Sequence, residues 1–258
     1  LAALDRLDPD VPVVTASAGN HALGVAYAAQ RLGRRATVVT ATTASAAKVS
    51  RIRGPDVELV QVGTSYDDAE AHALELAAGG AHYVSPYNDP HVIAGQATIG
   101  RELDEQLAGP MTVVCPIGGG GMAAGLGLWA ATRDDVRVVG VEAANNPVIS
   151  AAVDAGRVVD VELSETICDG MAGGVEHGTV TVSIVAEHVD TLVTVTEDEV
   201  RTAMRHLAAD RGLVVEGSGA AAVAAVLAGK VEGRGTVVAV VSGRNIALPL
   251  LAEVLSGS

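Results

Sequence analysis

The sequence predicts an α/β chain built on parallel sheets. Short β-branched runs alternate with Ala-rich stretches of helical length, the order expected of βαβ units. Continuous apolar runs such as Val237 to Val241 mark strands covered on both faces. Between two helical patterns, Val84 to Pro90 carries two prolines, an Asn and an Asp, so the chain can cross between domains there. That break sets a boundary near residue 88 and expected domains of residues 1–88 and 89–258.

In chain order, Val11 to Thr15 is a β-branched strand, and the Ala-rich stretch Asn20 to Leu32 follows as a helix. Strand Ala36 to Thr40, helix Ala44 to Arg53, strand Val57 to Gln61 and helix Tyr66 to Ala78 repeat the alternation. Past the break, Pro90 to Leu107 reads as a helix, Thr112 to Cys115 as a strand, Met122 to Ala131 as a helix and Val136 to Val141 as a strand. Leu192 to Val195 is a strand leading to a helix from Glu197 to Asp210. Thr196 is its cap, and Glu197, Asp198 and Glu199 form an acidic first turn that the helix dipole favours. Helix Ser218 to Leu227 and strand Thr236 to Val241 close the series.

A chain of 258 residues can bury a core without metals or disulfides, in one or two domains. Seventeen Lys plus Arg against 31 Asp plus Glu leave a charge of -14, so nucleic acid is not an expected partner. With aromatics at 2% and no Phe, the core has to be aliphatic. Two cysteines make no disulfide framework and no zinc-ligand spacing, which points to a reducing, cytoplasmic setting. The longest uncharged run, Gln106 to Thr132, is broken by Pro110, Pro116 and four glycines, and reads as strand, turn and helix rather than a membrane span. The chain opens on Leu1 without a basic n-region or h-region, and a missing N-terminus is expected.

The most informative stretch is Thr112 to Gly125, a strand running into Gly118, Gly119, Gly120 and Gly121 and then a helix. Glycines let backbone N–H groups face an anion at close range, and the helix N-terminus adds donors and a favourable dipole. A tight turn needs only one or two glycines, so four point to a phosphate. Gly119-x-Gly121-x-x-Ala124 also fits a dinucleotide fingerprint, with Glu142 where a ribose-binding acid would fall. On this stretch alone an NAD-dependent oxidoreductase is a rival.

A second turn, Thr15 to Ala22, ends a strand in small polar residues and opens a helix. Ser17 and Asn20 fit a helix cap; the turn equally fits a carboxylate clamp, with Asn20 offering its amide to a ring oxygen. A third turn leaves Ser242 at the C-terminal edge of an apolar strand, where doubly wound folds place ligands. His21 fits a base or a capping residue, and Glu216 a dipole partner or a site group. Cys115 reads as a core thiol, and Cys168 has no visible activating base.

Six motifs, taken in order, resemble the fold-type II pyridoxal-phosphate enzymes, above all threonine/serine dehydratases and serine racemases. They are Ser-Ala-Gly-Asn-His (17 to 21), Val-Ile-Ala-Gly-Gln-Ala-Thr-Ile (92 to 99), the Gly118 to Gly121 quartet with Met122, Glu-Thr-Ile-Cys-Asp-Gly (165 to 170), Val-Thr-Glu-Asp-Glu (195 to 199) and Ser-Gly-Arg-Asn (242 to 245). Their common register over nearly the whole chain displaces the NAD reading. The resemblance implies two doubly wound parallel-sheet domains of the tryptophan synthase beta-like kind, a small mobile one and a large one that binds pyridoxal 5'-phosphate. It assigns Gly118 to Gly121 and Met122 to the cofactor phosphate, Asn20 to the ring hydroxyl and Ser242 to the pyridine nitrogen. Ser17, Ala18, Gly19, Asn20 and His21 go to the carboxylate of an amino acid substrate. A homo-oligomer is expected, without nucleic acid or membrane.

Two departures qualify the match. The family attaches its cofactor to a Lys in a Ser-Phe-Lys-x-Arg-Gly-Ala stretch, which is expected upstream of Leu1; only Lys48 and Lys230 are present here. Lys48 resembles the family's helix lysine away from the cofactor, and Lys230 lies in a polar loop. The serine-racemase branch also binds a divalent cation through an acid, a carbonyl and a second acid. Glu142 and Asn146 occupy the first two positions, but Val148 cannot ligate, so that site is incomplete.

The implied reaction is loss of water from a hydroxy amino acid such as L-threonine or L-serine, giving an aminoacrylate that hydrolyses to a 2-keto acid and ammonia. A neutral hydroxyl at Ser242 stabilises the carbanion less deeply than a carboxylate and favours prompt elimination. Ala18 stands where serine racemases resemble one another in carrying a Ser, and Tyr87 where dehydratases tend to carry an aromatic. The rival readings are a serine racemase and a lysine-less pseudoenzyme that binds cofactor or amino acid.

Overall fold

The computed structural model describes residues 1–44, 46–52, 54 and 56–257, with the backbone alone at 47 and 48, and divides into two units, Leu1–Val92 and Ile93–Ser258. In the first unit the order is α1 (Ala2–Asp5), β1 (Val13–Ala16), α2 (Asn20–Leu32), β2 (Ala36–Thr40), α3 (Ala46–Val49), β3 (Val57–Gln61), α4 (Tyr66–Ala78) and β4 (His82–Tyr83). The four strands form one parallel sheet in the order β3-β2-β1-β4. Successive β1 side chains alternate between two cores, as the period of a strand requires. Val13 packs with Val25, Ala28 and Ala29 of α2, whereas Val14 and Ala16 pack with Ala69 and Ala73 of α4. Helices thus cover both faces. Sharp punctuation sets the helix ends: α2 stops at Gly33, whose φ of 62° is the left-handed C-cap, and α4 starts at a Ser65–Asp68 capping box.

The second unit runs α5 (Pro90–Gln106, whose first turn belongs to the first unit), β5 (Met111–Pro116), α6 (Gly121–Ala130), β6 (Val136–Ala143), α7 (Val148–Ala155), a 3-10 turn (Asp169–Met171) and α8 (Val180–His188). It continues through β7 (Thr191–Val195), α9 (Glu197–Arg211), α10 (Gly217–Leu227), β8 (Thr236–Ala239) and α11 (Leu248–Ser256). Its sheet is again parallel, in the order β7-β6-β5-β8. Val113 and Cys115 of β5 face Leu126 and Trp129 of α6, while Val114 faces Ala220 and Ala221 of α10. Two doubly wound parallel sheets are therefore what the chain forms.

The structure corrects several local expectations. Strand β8 ends at Ala239, not Val241, and lies at an edge of its sheet; Ala239 packs against one core and Val238 and Val240 against the other, while Val237 and Val241 stand about two-fifths exposed (42% and 40%). Of the helix expected over Ala44 to Arg53 only Ala46–Val49 is helical; residues 45 and 53 lie outside those described. Helices α1, α7, α8 and α11 and the two-residue β4 add to the expected elements. The uncharged run from Gln106 divides between β5, a glycine turn and α6, and no helix among the described residues is long and apolar enough to cross a membrane.

Candidate active site

Ligands of doubly wound sheets lie at the carboxyl ends of the strands. In the second unit that edge holds the glycine quartet. The ladder of β5 ends as the Ile117 N–H donates to Val141 O at 2.7 Å, and the chain turns through Gly118 and Gly119 into α6. Gly120 is the N-cap of α6, with a φ of 87° that L side chains rarely adopt, and no side chain caps this helix. The first N–H groups of a helix have no partner within it, so those of α6 are left to an external acceptor, at the positive end of its dipole.

The walls of this turn are close. A Cβ at Gly118 would stand 2.8 Å from Gly170 O, and one at Gly120 would stand 3.0 Å from Thr181 Cβ. Thr181 also donates its hydroxyl to Gly119 O at 2.8 Å, which fastens the turn to α8. Met122 packs from the first turn of α6 into the core below. A backbone cup at a helix N-terminus without a side-chain cap fits a phosphate.

Ser242 leaves the neighbouring strand at the same edge. β8 pairs with β5 as Val114↔Ala239, the Val240 N–H donates to Val114 O at 2.9 Å, and continuing that register sets Ser242 opposite Ile117, beside Gly118. Behind it, Gly243 O accepts from the Glu216 N–H at 3.1 Å, and a Cβ at Gly219 would come within 2.5 Å of that same carbonyl. Glu216 is buried as the N-cap residue of α10. The sequence leaves it open between a dipole partner and a site group; its place beside the Ser242 turn comes from the packing.

In the first unit the Ser17 to His21 turn occupies the corresponding edge of β1. The Ser17 N–H donates to Val39 O at 3.1 Å, and the Gly19 N–H donates to Ser17 Oγ at 3.1 Å. Gly19 is the N-cap of α2, which again has no side-chain cap. Ala18 is half-buried and Asn20 is exposed. His21 Nε2 lies 3.1 Å from Val84 O, a carbonyl that also accepts from the Thr15 hydroxyl at 2.8 Å. A carbonyl can only accept, so Nε2 carries the proton. Burial holds the His21 imidazole below its ordinary pKa, against the opposing pull of Val84 O and Asp89, and the ring is neutral at pH 7.

Glu142 is buried at the end of β6 with both oxygens engaged. Oε1 accepts from the Ile149 N–H at 2.7 Å, and Oε2 accepts from the Ser150 N–H at 3.0 Å and from the Ser150 hydroxyl. The carboxylate thus caps α7, although burial pushes its pKa up against those three bonds. Among the described residues no three His, Cys, Asp or Glu gather where they could hold a metal. Burial raises the Cys115 and Cys168 thiols to about 12, so neither is a nucleophile at neutral pH. Lys230 donates to Glu199 at 2.7 Å and to Thr194 O at 3.0 Å. It lies past the far end of α10 from Gly219, beyond about 12 Å of helix between Gly219 and Leu227 by its rise. The side chain of Lys48 lies outside the described residues.

Thr181 and the segment 165–170 also belong to the site. No spacing rule points to Thr181, which contacts Gly119 across 62 residues of sequence.

Residues 1–243 match the family model described as pyridoxal-phosphate dependent enzyme. The chain is 40% identical over 247 residues to an L-threonine ammonia-lyase of Thermotoga maritima, covering 95% of this chain and 61% of that protein. It is 42% identical over 243 residues to a biosynthetic L-threonine dehydratase of Burkholderia multivorans, covering 91% of this chain and 48% of the relative. The chain therefore spans only about half to three-fifths of the length of these relatives. Among solved structures, the processed form of threonine deaminase isoform 2 from Solanum lycopersicum superposes with a TM-score of 0.88 at 33% identity, over 98% of this chain and 76% of that one. With an uncapped glycine cup on one parallel sheet, a Ser-x-Gly-Asn-His turn on another and this extent of match, the chain belongs to the pyridoxal-phosphate dependent enzymes of fold type II.

Proposed function

We propose that the protein removes water from a β-hydroxy amino acid such as L-threonine or L-serine, with pyridoxal 5'-phosphate as cofactor, and that the released enamine takes up water to give a 2-keto acid and ammonia. The observation that carries this reading is the uncapped glycine cup of α6 with a neutral hydroxyl on the adjacent strand. The 40% identity to an L-threonine ammonia-lyase supports it. When bound, the cofactor supplies the electron sink for charge released at the substrate Cα.

The residues divide the remaining work. Gly118 to Gly121 hold the phosphate on backbone N–H groups, with Met122 beneath, and Asn20 holds the ring hydroxyl. Ser242 meets the pyridine nitrogen as a neutral partner, and it cannot balance a full positive charge there as a carboxylate would. Charge at Cα is then held less deeply, and departure of the β-hydroxyl outruns return of a proton. Ser17 to His21 take the substrate carboxylate on the N–H groups opening α2, where the neutral His21 ring adds no charge of its own. The methyl of Ala18 can neither give nor take a proton, so position 18 offers no acid for racemisation.

Attachment of the cofactor is not assigned to Lys230, whose amine is committed to Glu199 and Thr194 O. The reading places it in the family's Ser-Phe-Lys stretch, which these 258 residues do not contain. Glu142 is assigned to α7 rather than to a cation. The first unit supplies the substrate-carboxylate turn and the second the phosphate turn, in a homo-oligomer; two buried free thiols accord with a reducing cytoplasm.

The test is to give the cofactor-loaded protein L-threonine and L-serine and follow 2-keto acid, ammonia and, by chiral chromatography, D-serine. Keto acid and ammonia are expected in equal amounts, with D-serine negligible except in Ala18→Ser. D-serine forming as fast as pyruvate in the parent protein, or no keto acid from either substrate, overturns the reading.

A further inference from the structure

We propose that Glu197 is a positioning residue for the phosphate cup, acting through the segment 166–170 that walls Gly118; the proposal rests on the cup reading above. Glu197 opens α9, but its carboxylate points to that segment instead of serving its own helix. One oxygen accepts the Thr166 hydroxyl and the other accepts the Ile167 N–H at 3.0 Å. The α9 cap is made by Thr196 and Glu199, which form the capping box and leave Glu197 free of that duty.

The connection to the cup is short. Thr166 Oγ1, held by Glu197, accepts the Cys168 N–H at 3.0 Å, and the Gly170 N–H donates to Ser218 Oγ at 3.0 Å. Gly170 O then faces Gly118 so closely that a Cβ would stand 2.8 Å away. Upstream, Asn145 and Asn146 hold only the carbonyls of Glu165 and Ser164, at 2.9 and 3.1 Å. Glu197 is thus the side chain that fixes the start of the wall and Ser218 the one that fixes its end. Gly170 O occupies the space a Gly118 side chain would fill, so drift of this segment toward the turn would change where the Gly118 and Gly119 N–H groups aim. A carboxylate acting on two donors holds direction as well as distance, which a single acceptor cannot.

The experiment measures equilibrium affinity for pyridoxal phosphate and for pyridoxal, which lacks the phosphate, in the parent protein and in Glu197→Ala, Glu197→Gln and Thr166→Val. Glu197→Ala should weaken pyridoxal phosphate about tenfold and leave pyridoxal within about twofold, because the misaimed N–H groups lose about one charged hydrogen bond's worth of hold on the phosphate alone. Glu197→Gln keeps one acceptor and should fall between, and adding Thr166→Val to Glu197→Ala should cost nothing further. Equal weakening of both ligands, which a merely structural role would give, overturns the proposal, as does unchanged affinity for pyridoxal phosphate. If Glu197→Ala fails to fold, Thr166→Val decides by the same ratio. A parent protein with no preference for the phosphorylated ligand would instead overturn the cup itself, and this proposal with it.

Discussion

Two turns in this molecule have the same plan and opposite construction. Each follows a buried central strand of a parallel sheet, each passes through a glycine N-cap, and neither helix has a side-chain cap. A Cβ at Gly19 would meet nothing within 4 Å, and the proposed function gives this turn the Asn20 side chain as well as helix N–H groups to work with. Around Gly118 and Gly120 the backbone of Gly170 and the side chain of Thr181 leave no room for a side chain, and the proposed function asks only backbone N–H groups of this turn. The first turn can be retuned by changing residues. The second recognises a fixed group and tolerates no change in shape.

The largest expected effect follows directly. Gly120→Ala places a side chain at a φ of 87° against Thr181, a conformation that costs about 1–3 kcal/mol, and should weaken pyridoxal phosphate about 100-fold. Gly19→Ala, at a φ of -117°, should change thermal stability by no more than about 0.5 kcal/mol. Comparable losses of affinity and melting temperature in the two variants would dissolve the contrast. A smaller effect is expected at Ser242, beside the rigid turn. Ser242→Asp should retain cofactor, read by its absorbance, while slowing keto-acid formation more than about tenfold. Ser242→Ala should cost only about 0.5–1.5 kcal/mol in cofactor affinity, the worth of one neutral hydrogen bond. Parent-like turnover in the Asp variant would remove Ser242 from the site.

The smallest effect concerns the adaptable turn. His21 has a folded pKa below its ordinary 6.5 because burial disfavours the imidazolium. Protonation therefore favours the unfolded chain. Stability is fully present above pH 6.5 and declines as pH falls from there toward the folded pKa. Melting curves between pH 7.5 and 5.5 should show that decline, and it should flatten in His21→Gln. An unchanged slope in the variant would show that another group titrates.

Where local chemistry is strong, the fold is legible from residues alone. The ends of α2 and α4 are readable because Gly33 and Ser65 punctuate them, and β2 and β3 because they are β-branched runs between such marks. Helix α8 is not readable. Val-Thr-Val-Ser-Ile-Val is a strand-like run that becomes helical because α8 packs on α6, where a Cβ at Gly127 would stand 2.9 Å from His188 Cβ. Tertiary packing overrides propensity there, and β4, at two residues, is too short to leave a pattern. In the site, the glycine quartet and Ser242 are visible because glycine and serine at strand ends have few other uses. Glu197 reads as one acid among three in a first turn. Only the fold reveals which of the three caps α9 and which turns to the wall of the cup.

The central claim, that α6 and its glycine turn hold a phosphate by backbone alone, can be tested by the phosphorus resonance of pyridoxal phosphate bound to the protein. A phosphate fixed as its dianion by N–H donors at a helix N-terminus should keep one chemical shift from pH 5.5 to 8, across the free group's second ionisation near about 6. In Gly120→Ala the bound resonance should regain its pH dependence. A resonance that titrates like the free cofactor in the parent protein would contradict the account.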